Sequence, residues 1–233
     1  MFGRKKIAML LAEFVGAGVL TLVVLAVQRS TIGVPYFVAL AAGLAVAALT
    51  IVFANVSGGH FNPAITIGLW STRKVKTLAA ATYVVAQLLG GWAAYGIYTY
   101  FVNNSLQTIG GHYTARVLIA EAVGAFIFAF VWAAVAAQRL SAAWVGAALA
   151  LGIVVAAVAS IGFINPAVAL GARAWNIWGS MGWGTYVLGP VIGGVVGFNL
   201  YQVFFTEQYD AVVTAPAAKL PTKSTTSKTS KKK

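Results

Sequence analysis

The sequence contains no cysteine and only four acidic residues, and charged residues of either sign make up 9% of its 233 positions. Without cysteine there is no disulfide framework, no thiolate nucleophile and no cysteine-based metal site, and this residue type leaves the redox compartment unread. Four carboxylates and two histidines, none at metal-ligand or triad spacing, provide no constellation for nucleophilic or metal-assisted catalysis, so an enzyme is not expected.

What is abundant instead is apolar surface. Hydrophobic residues make up 60% of the chain and the mean hydropathy is +0.85, which requires lipid around the fold. The formal net charge of +12 raises the question of nucleic acid, but a nucleic-acid surface needs its charge gathered on one folded face. Here the basic residues lie at the chain ends and between apolar stretches: Arg4, Lys5 and Lys6, then Arg73, Lys74 and Lys76, then six lysines from Lys219 to Lys233. No nucleic-acid partner is expected.

Six apolar stretches of about the 20 residues needed for a membrane helix run roughly Ile7 to Gln28, Pro35 to Asn55, Thr77 to Phe101, Ala115 to Gln138, Ala142 to Ile161 and Tyr186 to Phe205. The first is too long for a cleaved leader, contains Glu13 and has no small-residue cleavage site, so it is expected to be retained. Two further apolar pieces, Asn62 to Trp70 and Asn165 to Trp175, each begin with Asn-Pro-Ala. About 10 residues at 1.5 Å each cover about 15 Å, half of a roughly 30 Å hydrocarbon core. Each piece therefore fits a re-entrant half-helix.

An even number of spans puts both termini on one side, and thirteen of the sixteen basic residues then share that side, against Arg29, Arg116 and Arg173 opposite. The positive-inside rule makes it the cytoplasmic side. From Ala215 onward the chain mixes Lys, Thr, Ser, Ala and Pro and has too little apolar surface to fold. The organisation expected is a basic cytoplasmic N-terminus over 1–6, a membrane domain over 7–206 and a disordered basic tail over 207–233.

The two halves of the membrane domain repeat one another, about 7–101 and about 115–206. Ala12-Glu13-Phe14-Val15-Gly16-Ala17 is matched by Ala120-Glu121-Ala122-Val123-Gly124-Ala125. Gly43 precedes Asn62 by 19 residues, as Gly146 precedes Asn165. Phe61-Asn62-Pro63-Ala64 is matched by Ile164-Asn165-Pro166-Ala167. Three spans per half is an odd number, so the second half enters the membrane inverted, and one half-helix comes from each side. A single Asn-Pro in a soluble chain merely starts a helix. Two copies in segments too short to span point to a lined, water-accessible path, where irregular backbone is tolerated at membrane depth.

Paired Asn-Pro-Ala, six spans and the Ala-Glu-x-x-Gly landmark over roughly residues 7 to 206 together resemble the major intrinsic protein family, the aquaporins and glycerol facilitators. The resemblance implies an all-α membrane fold of six transmembrane helices plus two re-entrant half-helices, a passive pore for water and small uncharged solutes, no cofactor, and a homotetramer in a cell or plasma membrane. The pore motifs are Asn62, Pro63, Ala64, Asn165, Pro166 and Ala167. Asn at the N-cap and Pro at the first helical position suit helix starts, and opposed half-helix dipoles, about half an elementary charge each, disfavour cations.

Glu13 and Glu121, the only acids inside spans, suggest either a proton relay or, as the family implies, acceptors for the re-entrant loops. His60 matches a pore-lining loop histidine, with a water contact or a loop pin as its two readings; His112 has no partners at ligand spacing. The family's outer constriction usually holds an arginine directly after the second Asn-Pro-Ala, where this chain has Val168. With Ala42, Ile153 and Gly162 at the other three positions the filter reads as wide and apolar. Arg173 resembles a basic position of glycerol facilitators, while their acidic residue four after the Asn is Ala169 here. Gly16, Gly124, Gly193 and Gly197 suit close helix crossings, and Asn103-Asn104-Ser105 has a glycosylation pattern common by chance. A secondary transporter with inverted repeats and a non-conducting structural protein of the same fold remain alternative readings.

Overall fold

The computed structural model describes residues 3–30, 34–107, 113–178 and 182–213, with side chains as far as Phe205. Elements among these residues are helical throughout: α1 (Arg4–Gln28), α2 (Pro35–Ser57), α3 (Pro63–Ser71), α4 (Thr77–Val102), α5 (Ala115–Ala137), α6 (Ala142–Ala156), α7 (Pro166–Gly171), and a π-helical turn (Trp183–Leu188) that runs into α8 (Gly189–Val213). Helices are the element that satisfies every backbone group internally, as a hydrocarbon surround demands.

Five segments are long and apolar enough to cross a membrane: α1, α2, α4, α5 and Trp183–Phe205. The sixth, α6, has 15 residues and a length of about 22 Å, shorter than the Ala142 to Ile161 stretch expected from composition. The reason lies in its end. In the first half α2 continues to Ser57 and closes on Gly58, whose φ of 96° is left-handed. The matching residue in the second half is the β-branched Ile161, for which that conformation is strongly disfavoured. The chain leaves the helix a turn earlier, through tightening bonds from Ala159 N and Ser160 N to the Ala156 carbonyl.

Other boundaries also move. The first helix begins at Arg4, so Arg4, Lys5 and Lys6 form its opening turn. The last continues beyond 206 to Val213, after a break at Phe205 (φ −135°, ψ 31°). The lysine tail from residue 214 and His112 lie outside the described residues.

Packing follows the repeat. The first helix of each half packs on the third, α1 on α4 and α5 on α8; α2 meets α6 between the halves; and each half-helix leans on the third span of the opposite half, α3 on α8 and α7 on α4. At the α2–α6 crossing a Cβ on Gly43 would lie 2.7 Å from the Gly146 carbonyl oxygen, and one on Gly146 would strike Gly43 O in return. The crossed contacts work alike: a Cβ on Gly194 would meet Ala64 O at 2.6 Å, and one on Gly91 would collide with Ala167 O. Glycine at these places lets backbones touch, which supplies the dispersion contact that helix association in lipid relies on.

Candidate functional site

Each re-entrant loop is built around a buried glutamate. Glu13 on α1 is fully buried and accepts from Ser57 Oγ (2.6 Å), His60 N (3.0 Å), Phe61 N (2.7 Å) and Gln87 Nε2 (2.7 Å). Glu121 on α5, equally buried, accepts from Ser160 Oγ, Gly162 N (3.1 Å), Phe163 N (3.0 Å) and Ile164 N (2.6 Å). Glu13 thus holds two consecutive backbone N–H groups of its loop and Glu121 three, donors that no helix satisfies.

The residue before each asparagine is strained. Phe61 has φ 51° and Ile164 φ 42°, left-handed values that cost a bulky or β-branched side chain about 1–3 kcal/mol. Both of its backbone groups are tied down. The glutamate of the same half takes the N–H, and the asparagine of the opposite half takes the carbonyl: Asn62 Nδ2 donates to Ile164 O and Asn165 Nδ2 to Phe61 O, each at 3.0 Å. The two loops are therefore cross-linked by a reciprocal pair of hydrogen bonds.

The same asparagines cap their half-helices. Asn62 Oδ1 accepts from Ala64 N at 2.8 Å, and Asn165 Oδ1 from Ala167 N (2.9 Å) and Val168 N (3.5 Å). Pro63 and Pro166 occupy the first helical positions, where a missing N–H leaves nothing unpaired. With Oδ1 used as a cap and one Nδ2 hydrogen given to the opposite loop, each amide keeps one N–H to offer. The helices behind them are unequal. The first, α3, has 9 residues, whereas α7 has 6, a turn and a half, so its dipole is less than the full half-charge expected from the sequence.

Asn165 forms part of the wall of a cavity of about 230 Å³, room for several waters. The four residues assigned to a constriction, Ala42, Ile153, Gly162 and Val168, line this one cavity together. They come from α2, α6, the second loop and α7. Much of the remaining wall is apolar, with Leu20 and Val24 from α1, Val38 from α2 and Leu149 from α6. Among the described residues that line it none is charged. Gly162 has φ 76°, and a Cβ there would lie 2.9 Å from Ile153 O, so a side chain at this position is opposed both by conformation and by space. Arg173 is not on the wall. Its guanidinium lies over the Tyr95 ring, 5.6 Å from the centroid, and donates to Tyr95 Oη at 3.3 Å.

His60 is buried and does not line this cavity. Its Nδ1 is 3.1 Å from Thr66 Oγ1, and its ring meets Tyr83 and Trp132 edge-on at 5.3 and 5.9 Å. Thr66 also accepts from Gln87 Nε2 at 2.8 Å. The second half has no such polar cluster, because Phe163 and Ala169 stand where the first has His60 and Thr66. Asn103 closes α4 at φ 49°.

Sequence reasoning passed over Ser57 and Ser160, whose hydroxyls bind the two glutamates. Their signal was available, since each stands five residues before its asparagine. Gln87 and Trp175, which donates from Nε1 to Pro166 O at 2.6 Å, gave no comparable signal, because neither has a counterpart in the other half. The contribution of α1 to the cavity wall was also missed, since no motif marks Leu20, Val24 or Gln28.

Comparison with known proteins agrees with this architecture. The family model of the major intrinsic proteins matches residues 3–201. Aquaporin Z of Photorhabdus laumondii is 31% identical over 234 residues, covering 88% of this chain and 99% of that one. Aquaporin AqpM of Methanothermobacter thermautotrophicus is 32% identical over 196 residues, 73% and 77% of the two chains. The crystal structure of the aquaglyceroporin from Plasmodium falciparum shares the fold, with a TM-score of 0.67 at 23% identity over 88% of this chain and 99% of its own. With its inverted halves, crossed half-helices and paired Asn-Pro-Ala caps, the chain belongs to the major intrinsic protein family.

Proposed function

We propose that the chain conducts water and small uncharged solutes such as glycerol or urea passively across a bilayer, along a path that passes the apolar cavity and then the asparagine pair. The observation that carries this reading is the cavity itself, which joins Ala42, Ile153, Gly162 and Val168 to Asn165 without a charged side chain among the described lining residues. Relatives named aquaporins support water as one permeant. The cavity's volume of about 230 Å³ and its apolar lining support solutes larger than water as others.

In this reading an entering molecule sheds part of its hydration against apolar side chains and regains hydrogen bonds at the remaining N–H groups of Asn62 and Asn165. Those donors turn a water's oxygen toward the pore centre, which interrupts a chain of waters able to relay protons. Ions meet a wall with few compensating polar groups and the positive ends of α3 and α7. Glu13 and Glu121 serve as loop acceptors in this reading, with every oxygen committed to donors of the loops or their supports. A homotetramer with one pore in each subunit and both termini cytoplasmic completes the proposal.

Stopped-flow light scattering of proteoliposomes in glycerol and urea gradients tests the solute range. Uptake faster than in protein-free vesicles is expected, without dependence on a proton or sodium gradient. Uptake that requires an ion gradient would favour a carrier instead.

A further inference from the structure

We propose that Trp132 narrows the path on the far side of the asparagine pair from the cavity, and that this section ranks urea above glycerol. The proposal rests on the passive-channel reading above. The pseudo-twofold axis that exchanges the inverted halves carries the cavity wall onto a second set of residues. Leu20 and Val24 of α1 stand 7 and 11 residues after Glu13, as Phe128 and Trp132 of α5 stand after Glu121. Phe163 precedes Asn165 by two residues, as His60 precedes Asn62. Leu20, Val24 and Phe163 line the cavity, so the inversion brings Phe128, Trp132 and His60 to the corresponding section of the other half of the path. There an indole replaces a valine and a phenyl ring replaces a leucine.

The ring contacts agree with this placement. The Trp132 indole lies 5.9 Å from the His60 ring, stacks on Phe128 at 5.8 Å and 17°, and meets Phe198 of α8 at 5.8 Å. His60 and Phe198 are buried, which sets the indole inside the bundle, yet it is only partly buried itself. Its N–H has no acceptor among the described residues, although a tryptophan enclosed in a bundle ordinarily finds one. Thr66 Oγ1 accepts from Gln87 Nε2, and its own proton goes to His60 Nδ1, the tautomer that leaves Nε2 of His60 as a donor. That Nε2 borders the exposed Gly58, where a Cβ would lie 3.0 Å from it. Thr50 of α2 stands 12 residues before Asn62, as Ile153 stands before Asn165. Its hydroxyl is buried without a partner, whereas Thr21, Thr82 and Thr99 each bond a carbonyl of their own helix. Bore and lining donors rank neutral solutes in a pore. A section narrowed by an indole and bordered by two N–H donors and a hydroxyl suits a small molecule with a carbonyl acceptor, urea, better than a bulkier three-carbon polyol.

The test is stopped-flow light scattering of proteoliposomes holding the full chain, with water, urea and glycerol fluxes measured on the same preparations. Wild-type vesicles should take up urea faster than glycerol once the leak of protein-free vesicles is subtracted. Trp132→Val, which installs the residue found at the matching position of the first half, should raise glycerol uptake about tenfold relative to water, the scale of a steric restriction relieved. Trp132→Phe keeps a ring and loses the N–H; urea uptake should fall about threefold, as loss of one hydrogen bond implies, with glycerol still slow. Glycerol as fast as urea in the wild type would overturn the proposal while the channel stands. So would a glycerol-to-water ratio unchanged by Trp132→Val, or urea uptake in Trp132→Phe equal to that of the wild type. Wild-type water permeability no greater than that of empty vesicles would overturn the channel reading and this proposal with it.

Discussion

At the scale of single residues, the strained backbone of Phe61 and Ile164 is held from both ends, N–H by a glutamate and carbonyl by the opposite asparagine. Glu121→Gln puts an amide where the carboxylate took four donors, and loss of a charge-assisted acceptor costs about 1.5–3 kcal/mol. A lower melting temperature in detergent, with reduced flux per folded molecule and no change in ion dependence, is the expected outcome. Ion-coupled uptake that disappears in this variant would reassign the residue to a proton relay. Val168 provides the second residue-scale prediction. An arginine there introduces bulk and charge into the cavity of about 230 Å³. Glycerol and urea uptake should fall about tenfold, as a barrier about 1.4 kcal/mol higher requires, and water flux should fall less. An unchanged solute-to-water ratio would remove Val168 from the filter.

At the scale of elements, the half-helices are positioned by backbone contact with the opposite half. A Cβ on Gly194 lies 2.6 Å from Ala64 O, whereas one on Gly96 of α4 meets nothing within 4 Å. Gly194→Ala should cost about 1–3 kcal/mol by overpacking, read as a fall in melting temperature, and Gly96→Ala should be neutral or mildly stabilising. Equal effects of the two substitutions would mean that the crossed contacts do not hold α3. Much of this level was legible in advance. The matched Glu13/Glu121, Gly43/Gly146 and Asn62/Asn165 defined the repeat, because each answers a demand made once in each half. Element ends were less legible. The early stop of α6 depends on Ile161 standing where the first half has Gly58, a single substitution inside an uninterrupted apolar run. The wall residues of α1 escaped notice for a related reason, since a leucine or valine facing a pore and one facing a neighbouring helix look alike in a sequence.

At the scale of the whole molecule, Lys6 at the start of α1 and Lys76 at the start of α4 line one cavity, and the proposed topology, with both termini inside, turns that end of the bundle toward the cytoplasm. A membrane-impermeant amine reagent applied to intact cells should therefore leave the lysines at both chain ends unlabelled and label them after permeabilisation; labelling before permeabilisation would invert the topology. Passive conduction is the claim on which the rest depends. The decisive measurement is osmotic water permeability of proteoliposomes by stopped-flow light scattering at several temperatures, with correct insertion verified. Permeability well above that of protein-free vesicles, with a lower activation energy, is the expected result. Permeability equal to that of empty vesicles, with the same activation energy, would contradict it.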